Sequence, residues 1–177
     1  MIVNELEYLY RIQSKVTPSF VELPNGQISY SIDLNTREIN SPEVLSVKRD
    51  HLSTVIYFNV DRFYNYMDLS TLSCVIIYQT PDGKSHLYPI HYYDIYTLEK
   101  EGKMILAWNI NDIATQEDGI VSYAFKFFKV TGDTVDNAKL VYSLNTFPAK
   151  STILYGLDAP DEAFEDIEID RTNEIIF

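Results

Sequence analysis

Two carboxylates flanking a run of aromatic side chains are the nearest this chain comes to a catalytic pattern. Asp61 and Asp68 bracket Arg62-Phe63-Tyr64-Asn65-Tyr66-Met67. Glycoside cleavage uses one carboxylic acid to protonate the leaving oxygen and one carboxylate to attack the sugar or activate water, with rings to stack on the sugar faces. The separation of the two groups is a property of the fold rather than of their spacing in sequence, so this pair is only the first place to look for such chemistry. Rings on a loop more simply anchor a protein interface, or fold back over the edge of the body that carries them. Phe63, Tyr64 and Tyr66 are the interface candidates of this segment.

The other reactive residue types do not combine into a site. His86 and His91 are five positions apart, which on a regular strand sends their side chains to opposite faces, and His51 lies far from both in sequence. The single cysteine, Cys74, excludes an intrachain disulfide and a multi-cysteine zinc site, and within Ser73-Cys74-Val75-Ile76-Ile77-Tyr78 it reads as a small buried hydrophobe. No serine sits in a G-x-S-x-G elbow, and no phosphate-cradling glycine motif is present. Asp161, Glu162, Glu165, Asp166 and Glu168 lack the frame of a calcium loop and read as a solvated charge run. The expectation is therefore no catalytic residue, no metal and no cofactor.

The elements that must carry these residues follow from composition and patterning. A chain of 177 residues with 46% hydrophobic and 14% aromatic content can bury one substantial core. Its 14 tyrosines suit half-buried strand faces and interfaces, since each brings a large ring and a hydroxyl that needs a partner or water. The net charge of −12 argues against nucleic acid or an anionic membrane as a partner. That charge is uneven: residues 158–177 hold eight acidic residues and one arginine, a net of −7, leaving −5 for the rest. The N-terminus, MIVNELEYLYRIQSK, lacks a basic region leading into a long apolar one, and no run of about 18 apolar residues occurs, so a soluble protein without a signal peptide is expected.

From Asn35 to Leu157 the chain is nearly continuous strand pattern. Ile28, Tyr30, Ile32 and Leu34 alternate with Ser29, Ser31 and Asp33, and Val44–Val47 forms a short run. Thr54–Val60 is apolar on both sides for most of its length, which predicts a central strand covered on both faces. Asp68-Leu69-Ser70 predicts a turn or one helical turn with a side-chain cap. Asp82-Gly83 between two apolar runs, and Glu99-Lys100-Glu101-Gly102 between two more, predict hairpins. Ile110–Glu117 reads as a short helix or a loop. Gly119–Val130 predicts a long strand with Val121, Tyr123, Phe125 and Phe127 in one register. Lys139–Thr146 and Ser151–Tyr155 complete about nine or ten strands, separated where Pro148 interrupts.

This pattern predicts an all-β fold, an antiparallel β-sandwich of jelly-roll or immunoglobulin-like type with N- and C-terminal arms. Residues 1–26 form an N-terminal arm, in which Leu6, Leu9, Ile12 and Val16 fit one face of a short helix, although Tyr8–Ile12 equally fits a strand. Residues 27–157 form the sandwich domain. Residues 158–177 form an acidic C-terminal arm, either a flexible tail or a segment that orders against a neighbouring subunit through Phe164, Ile167, Ile169, Ile175, Ile176 and Phe177.

The order of motifs resembles an N-terminal β-sandwich module of tailed-phage minor structural proteins, the baseplate-upper-like, tail-fibre and head-fibre proteins of phages of Gram-positive bacteria. The residues that carry the resemblance are Asp33-Leu34-Asn35-Thr36-Arg37-Glu38-Ile39, Arg49-Asp50-His51-Leu52 leading to Ile56-Tyr57-Phe58, and Asp61-Arg62-Phe63-Tyr64 with Asp68-Leu69-Ser70. Cys74 through Tyr78 with Asp82-Gly83 and Tyr88 follow. Trp108 with Ile110, Ala114-Thr115 to Gly119, Leu144-Asn145-Thr146 and Leu154-Tyr155-Gly156-Leu157 complete a match over about two-thirds of the chain. The resemblance implies a non-enzymatic virion protein, an attachment or adaptor module that docks a fibre, tail-baseplate or head-decoration part, assembled in the bacterial host cytoplasm. It implies other virion proteins as partners and a homo-oligomer in a symmetric assembly. The chain departs from the usual arrangement in following the module with only an acidic segment. The alternative reading is a carbohydrate-binding module for host-surface glycans, with Tyr64, Tyr66, Tyr88, Tyr92, Tyr93 and Tyr96 as its platform.

Overall fold

The protein is described here from a computed structural model, which covers residues 4–13, 28–91, 95–98 and 102–157. In chain order the elements are helix α1 (Asn4–Ile12) and strands β1 (Ser29–Asp33), β2 (Glu38–Ile39), β3 (Val44–Val47), β4 (Val55–Asp61), β5 (Phe63–Tyr64) and β6 (Met67–Asp68). They continue with β7 (Ser73–Gln79), β8 (Ser85–Ile90), β9 (Ile95–Leu98), β10 (Lys103–Asn109), β11 (Gly119–Thr131), β12 (Lys139–Asn145) and β13 (Ala149–Leu154).

Two sheets face each other, as the alternating patterns predict. One has the order β2-β1-β4-β10-β9 and the other β3-β13-β11-β7-β8, with β12 pairing along the second half of β11. β11 is the spine of the second sheet: β13 pairs with it from Gly119 to Tyr123 and β12 from Lys126 to Thr131, while β7 runs along its other side. Most pairings are antiparallel, but β1 with β4 and β3 with β13 are parallel, so the sheets are mixed rather than purely antiparallel. Parallel neighbours need a crossover, and sequence alternation is blind to strand direction.

The core between the sheets is an aromatic stack. Phe58 of β4 meets Phe125 of β11 edge to face at 4.9 Å, and Trp108 of β10 meets Tyr123 at 5.2 Å and Tyr78 of β7 at 5.4 Å. All five side chains are buried. Each such pair adds roughly 1 kcal/mol to the burial of the rings themselves. The Tyr123 hydroxyl shares a hydrogen bond with Ser151 Oγ at 2.9 Å, so its polar end is satisfied inside the core. Burial pushes the Tyr78 hydroxyl up to about 12.

β4 differs from its expectation. Its inward residues Ile56, Phe58 and Val60 are buried, but Val55 is exposed and Tyr57 and Asn59 are half-buried. The strand is central in its sheet yet covered fully on one face only. Apolar residues on the second side were a poor guide because tyrosine is at home on a half-open surface. Ile110–Glu117 forms turns rather than a helix, and the hairpin at Pro81-Asp82-Gly83 is as predicted, with Gly83 at φ 86.

The first segment is a helix and it packs on the sandwich. Leu9 is buried against Val75, Phe128 and Val130 on the outer face of the second sheet, flanked by Leu6 and Ile12. Full burial of Leu9 is worth about 2 kcal/mol. Gln13, just past the helix, bonds the backbone of Val130. Residues 14–27 and 158–177, and with them Val16, Phe164, Ile167, Ile169, Ile175, Ile176 and Phe177, lie outside the described residues.

Candidate interaction hairpin

The segment between Asp61 and Leu72 folds into a small hairpin at the edge of the sandwich. Phe63 pairs with Asp68 and Tyr64 with Met67, leaving Asn65 and Tyr66 as a two-residue turn. Both turn residues have positive φ, 48° at Asn65 and 67° at Tyr66, the pattern of the primed turns whose twist suits a tight hairpin. Asparagine tolerates this conformation. A tyrosine in the left-handed region is disfavoured by about 1–2 kcal/mol because its Cβ crowds the following carbonyl, and glycine is the usual occupant.

The base of the hairpin is braced. Arg62 Nε and Nη2 donate to Asp68 Oδ1 and Oδ2, both at 3.0 Å, a bidentate pair. Asp68 Oδ1 also accepts from Ser70 N at 3.0 Å and Ser70 Oγ at 2.6 Å, capping the 3-10 turn Leu69–Thr71. Burial would raise the Asp68 carboxyl, but the bonds from Arg62 and Ser70 outweigh it and hold the group below the usual carboxylate range. The backbone of Arg62 donates to Gly102 O at 2.9 Å and accepts from Leu69 N at 2.7 Å, tying the hairpin to the sheet and to its own cap.

The three rings and Met67 of the hairpin divide between the core and solvent. Tyr64 and Met67 pack against the central core. Phe63 is 57% exposed, beneath the Arg62 guanidinium at 5.2 Å, and Tyr66 is fully exposed at the tip. Arg37, not among the interface candidates that the sequence offers, sits with its guanidinium 5.5 Å from the Tyr64 ring centre. Its Nη1 donates to Asn145 O at 2.9 Å, and its own carbonyl accepts from Phe147 N at 2.8 Å. Arg37 thus links the hairpin to the end of β12 and to Phe147, which is itself 61% exposed. A phenylalanine directly before Pro148, in a link between strands, was the available signal.

Of the two carboxylates, Asp61 pairs with Lys103 at 2.9 Å and Asp68 with Arg62 at 3.0 Å, and Asp68 is held below the usual range where a general acid needs its carboxyl raised. His86 stacks on Tyr78 at 5.2 Å and meets Thr80 Oγ1 at 3.1 Å, and His51 Nδ1 accepts from Asp112 N at 3.0 Å. Cys74 is buried in the core, where burial pushes its thiol well up. Among the described residues no group of three histidine, cysteine or acidic side chains could hold a metal ion. No helix among them is long and apolar enough to cross a membrane. Tyr88 is half-buried against Trp108, so it does not extend a surface platform; Tyr92 and Tyr93 and the side chain of Tyr96 lie outside the described residues.

No protein-family model and no curated protein matches the chain. Among solved structures it is similar to the N-terminal domain of phage TP901-1 ORF48, at 10% identity over 74% of this chain and 98% of that chain, with a TM-score of 0.39.

Proposed function

We propose that this protein is a non-enzymatic structural component of a tailed-phage virion, an attachment module that docks onto neighbouring virion proteins through the tip of the β5-β6 hairpin. The observation that carries the reading is Tyr66. A large aromatic side chain is held fully exposed, at a backbone position where glycine would fit at lower cost, on a hairpin whose base is locked by four charge-assisted or capping bonds. Strain that packing does not require, at a pre-organised tip, is what a contact residue leaves in the free subunit. Order at the base lowers the entropy lost on docking.

The motif order from Asp33 to Leu157 supplies the phage context. Within a symmetric particle one hairpin per copy would act many times over. Fibre, tail-baseplate and head-decoration roles all fit this description, and the virion, assembled in the host cytoplasm, is the location it implies. Locating the chain in a reconstruction of the intact particle is the test. The hairpin tip should lie against a different virion protein, and a chain absent from the particle would remove the reading.

A further inference from the structure

We propose that residues 158–177 fold back over the uncovered half of the outer face of the second sheet, in the same chain, with Phe164, Ile167 and Ile169 against its apolar side chains. One half of that face already seats α1, whose Leu9 lies on Val75, Phe128 and Val130. The other half is built from the outward residues of β3, β13 and the start of β11. Thr152 has Val44 on one side and Ile120 on the other, and Leu154 lies beside Val47. Val44, Val47, Ile120 and Leu154 are all exposed. Next to them Ile77, Ser122, Ala124 and Pro148 line a groove of about 250 Å³. That is room for a branched apolar side chain, since a cavity of about 150 Å³ admits benzene.

Continuity and charge point to the occupant. β13 ends at Leu154, and the backbone that follows already lies on this face, where a Cβ at Gly156 would meet Val47 Cγ1 at 3.3 Å. Residues 158–177 therefore begin at the rim of the patch. Gln13 by contrast leaves α1 beside Val130, at the far end of β11, so residues 14–27 begin away from it. Residues 158–177 hold Phe164, Ile167 and Ile169 among eight acidic residues and one arginine, a net of −7. A face that combines apolar side chains with a cation matches that composition. Lys150 supplies the cation: it is exposed, lies beside Ser122 between the apolar group and the groove, and is in no ion pair among the described residues.

Reach and tethering select the chain's own segment. β13 ends beside Gly119, and the groove at Ala124 is five residues further along β11, about 17 Å away. The ten residues from Leu157 to Ile167 span up to about 33 Å, so a reversal at Asp158-Ala159-Pro160-Asp161 fits with length to spare. Attachment at so short a range gives the segment an effective concentration on the order of millimolar at its own face. A second copy would have to exceed that in free solution to displace it.

The test is chymotryptic cleavage after Phe164 in the full chain, followed by mass spectrometry at several protein concentrations. Ile120→Asp with Leu154→Asp should speed this cleavage about tenfold over the parent, and Lys150→Glu about threefold. Glu168→Lys with Asp170→Lys should slow it again in the lysine-reversed chain. All three substituted face residues are exposed, so near-ultraviolet circular dichroism should not change, and Lys150→Glu carries the test without touching the apolar group. The rates should be the same at every concentration. Cleavage of the parent as fast as that of the Ile120 and Leu154 variant, a lysine reversal without effect, or a charge swap that restores nothing would each overturn the proposal. So would protection that appears only as concentration rises, the mark of a second copy. The hairpin takes no part in this contact, so Tyr66→Ala should leave the rate unchanged.

Discussion

The Gln13 carboxamide pairs with both backbone groups of Val130: its Nε2 donates to the Val130 carbonyl at 2.8 Å, and the Val130 N–H donates to its Oε1 at 3.0 Å. β7 pairs with β11 only as far as Phe128, so a side chain stands in for a strand two residues beyond that end. The helix and the sheet are thereby joined by a contact that needs both an acceptor and a donor. Gln13→Glu should therefore cost nearly as much as Gln13→Ala, about 1–2 kcal/mol by urea unfolding, because a carboxylate cannot donate to the carbonyl. Amide exchange at Val130 should quicken in Gln13→Ala, which removes the acceptor of its N–H.

Tyr66→Gly separates strain from function. Glycine relieves the positive φ at the tip, so the variant should be as stable as the parent or more stable by about 1 kcal/mol, read as a raised unfolding midpoint. Incorporation into particles should fall sharply in the same variant. A clear loss of stability would mean the ring supports the fold.

Asp68 sets an acid limit on the hairpin. Its folded-state carboxyl lies below the ordinary range, so its stabilising contribution is complete above the unfolded value near 4 and is lost as pH falls through the lower folded value. Asp68→Asn keeps a capping oxygen but loses the charged pair with Arg62. It should be less stable than the parent by about 1 kcal/mol at pH 7, with the gap closing as pH falls below the ordinary carboxylate range and through the lowered folded value. Denaturant midpoints across pH 2 to 7 measure this.

Phe58 is fully buried between Tyr30, Tyr123 and Phe125. Phe58→Ala should lose about 3–5 kcal/mol, the size expected for emptying an aromatic site between two sheets. Thermal unfolding followed by circular dichroism reads the loss directly.

Much of this architecture was legible because period-two alternation reports burial. Val121, Tyr123, Phe125 and Phe127 fell on one inward face, and the Asp82-Gly83 turn and the Asp68 cap formed where local chemistry demanded them. Strand direction was not legible, so the parallel pairings of β1 with β4 and of β3 with β13 came only with the fold. The helical face of Leu6, Leu9 and Ile12 was visible, but its seat on Val75, Phe128 and Val130 depends on the outward residues of two strands distant in sequence. The hairpin rings were visible as a cluster. Which of them faces solvent was decided by the two positive-φ residues, a feature that Asn65 hints at and Tyr66 conceals. Arg37 joins the site through contacts to Asn145 and Phe147, more than a hundred positions away in the chain.

The central claim is that Tyr66 touches another virion protein. Placing a photo-crosslinking amino acid at position 66 and irradiating assembled particles tests it most directly. A single defined adduct with a different virion protein, absent when the photo-reactive group is placed at the buried Tyr78, is the predicted result. Particles that contain the chain but yield no adduct at position 66 would contradict it.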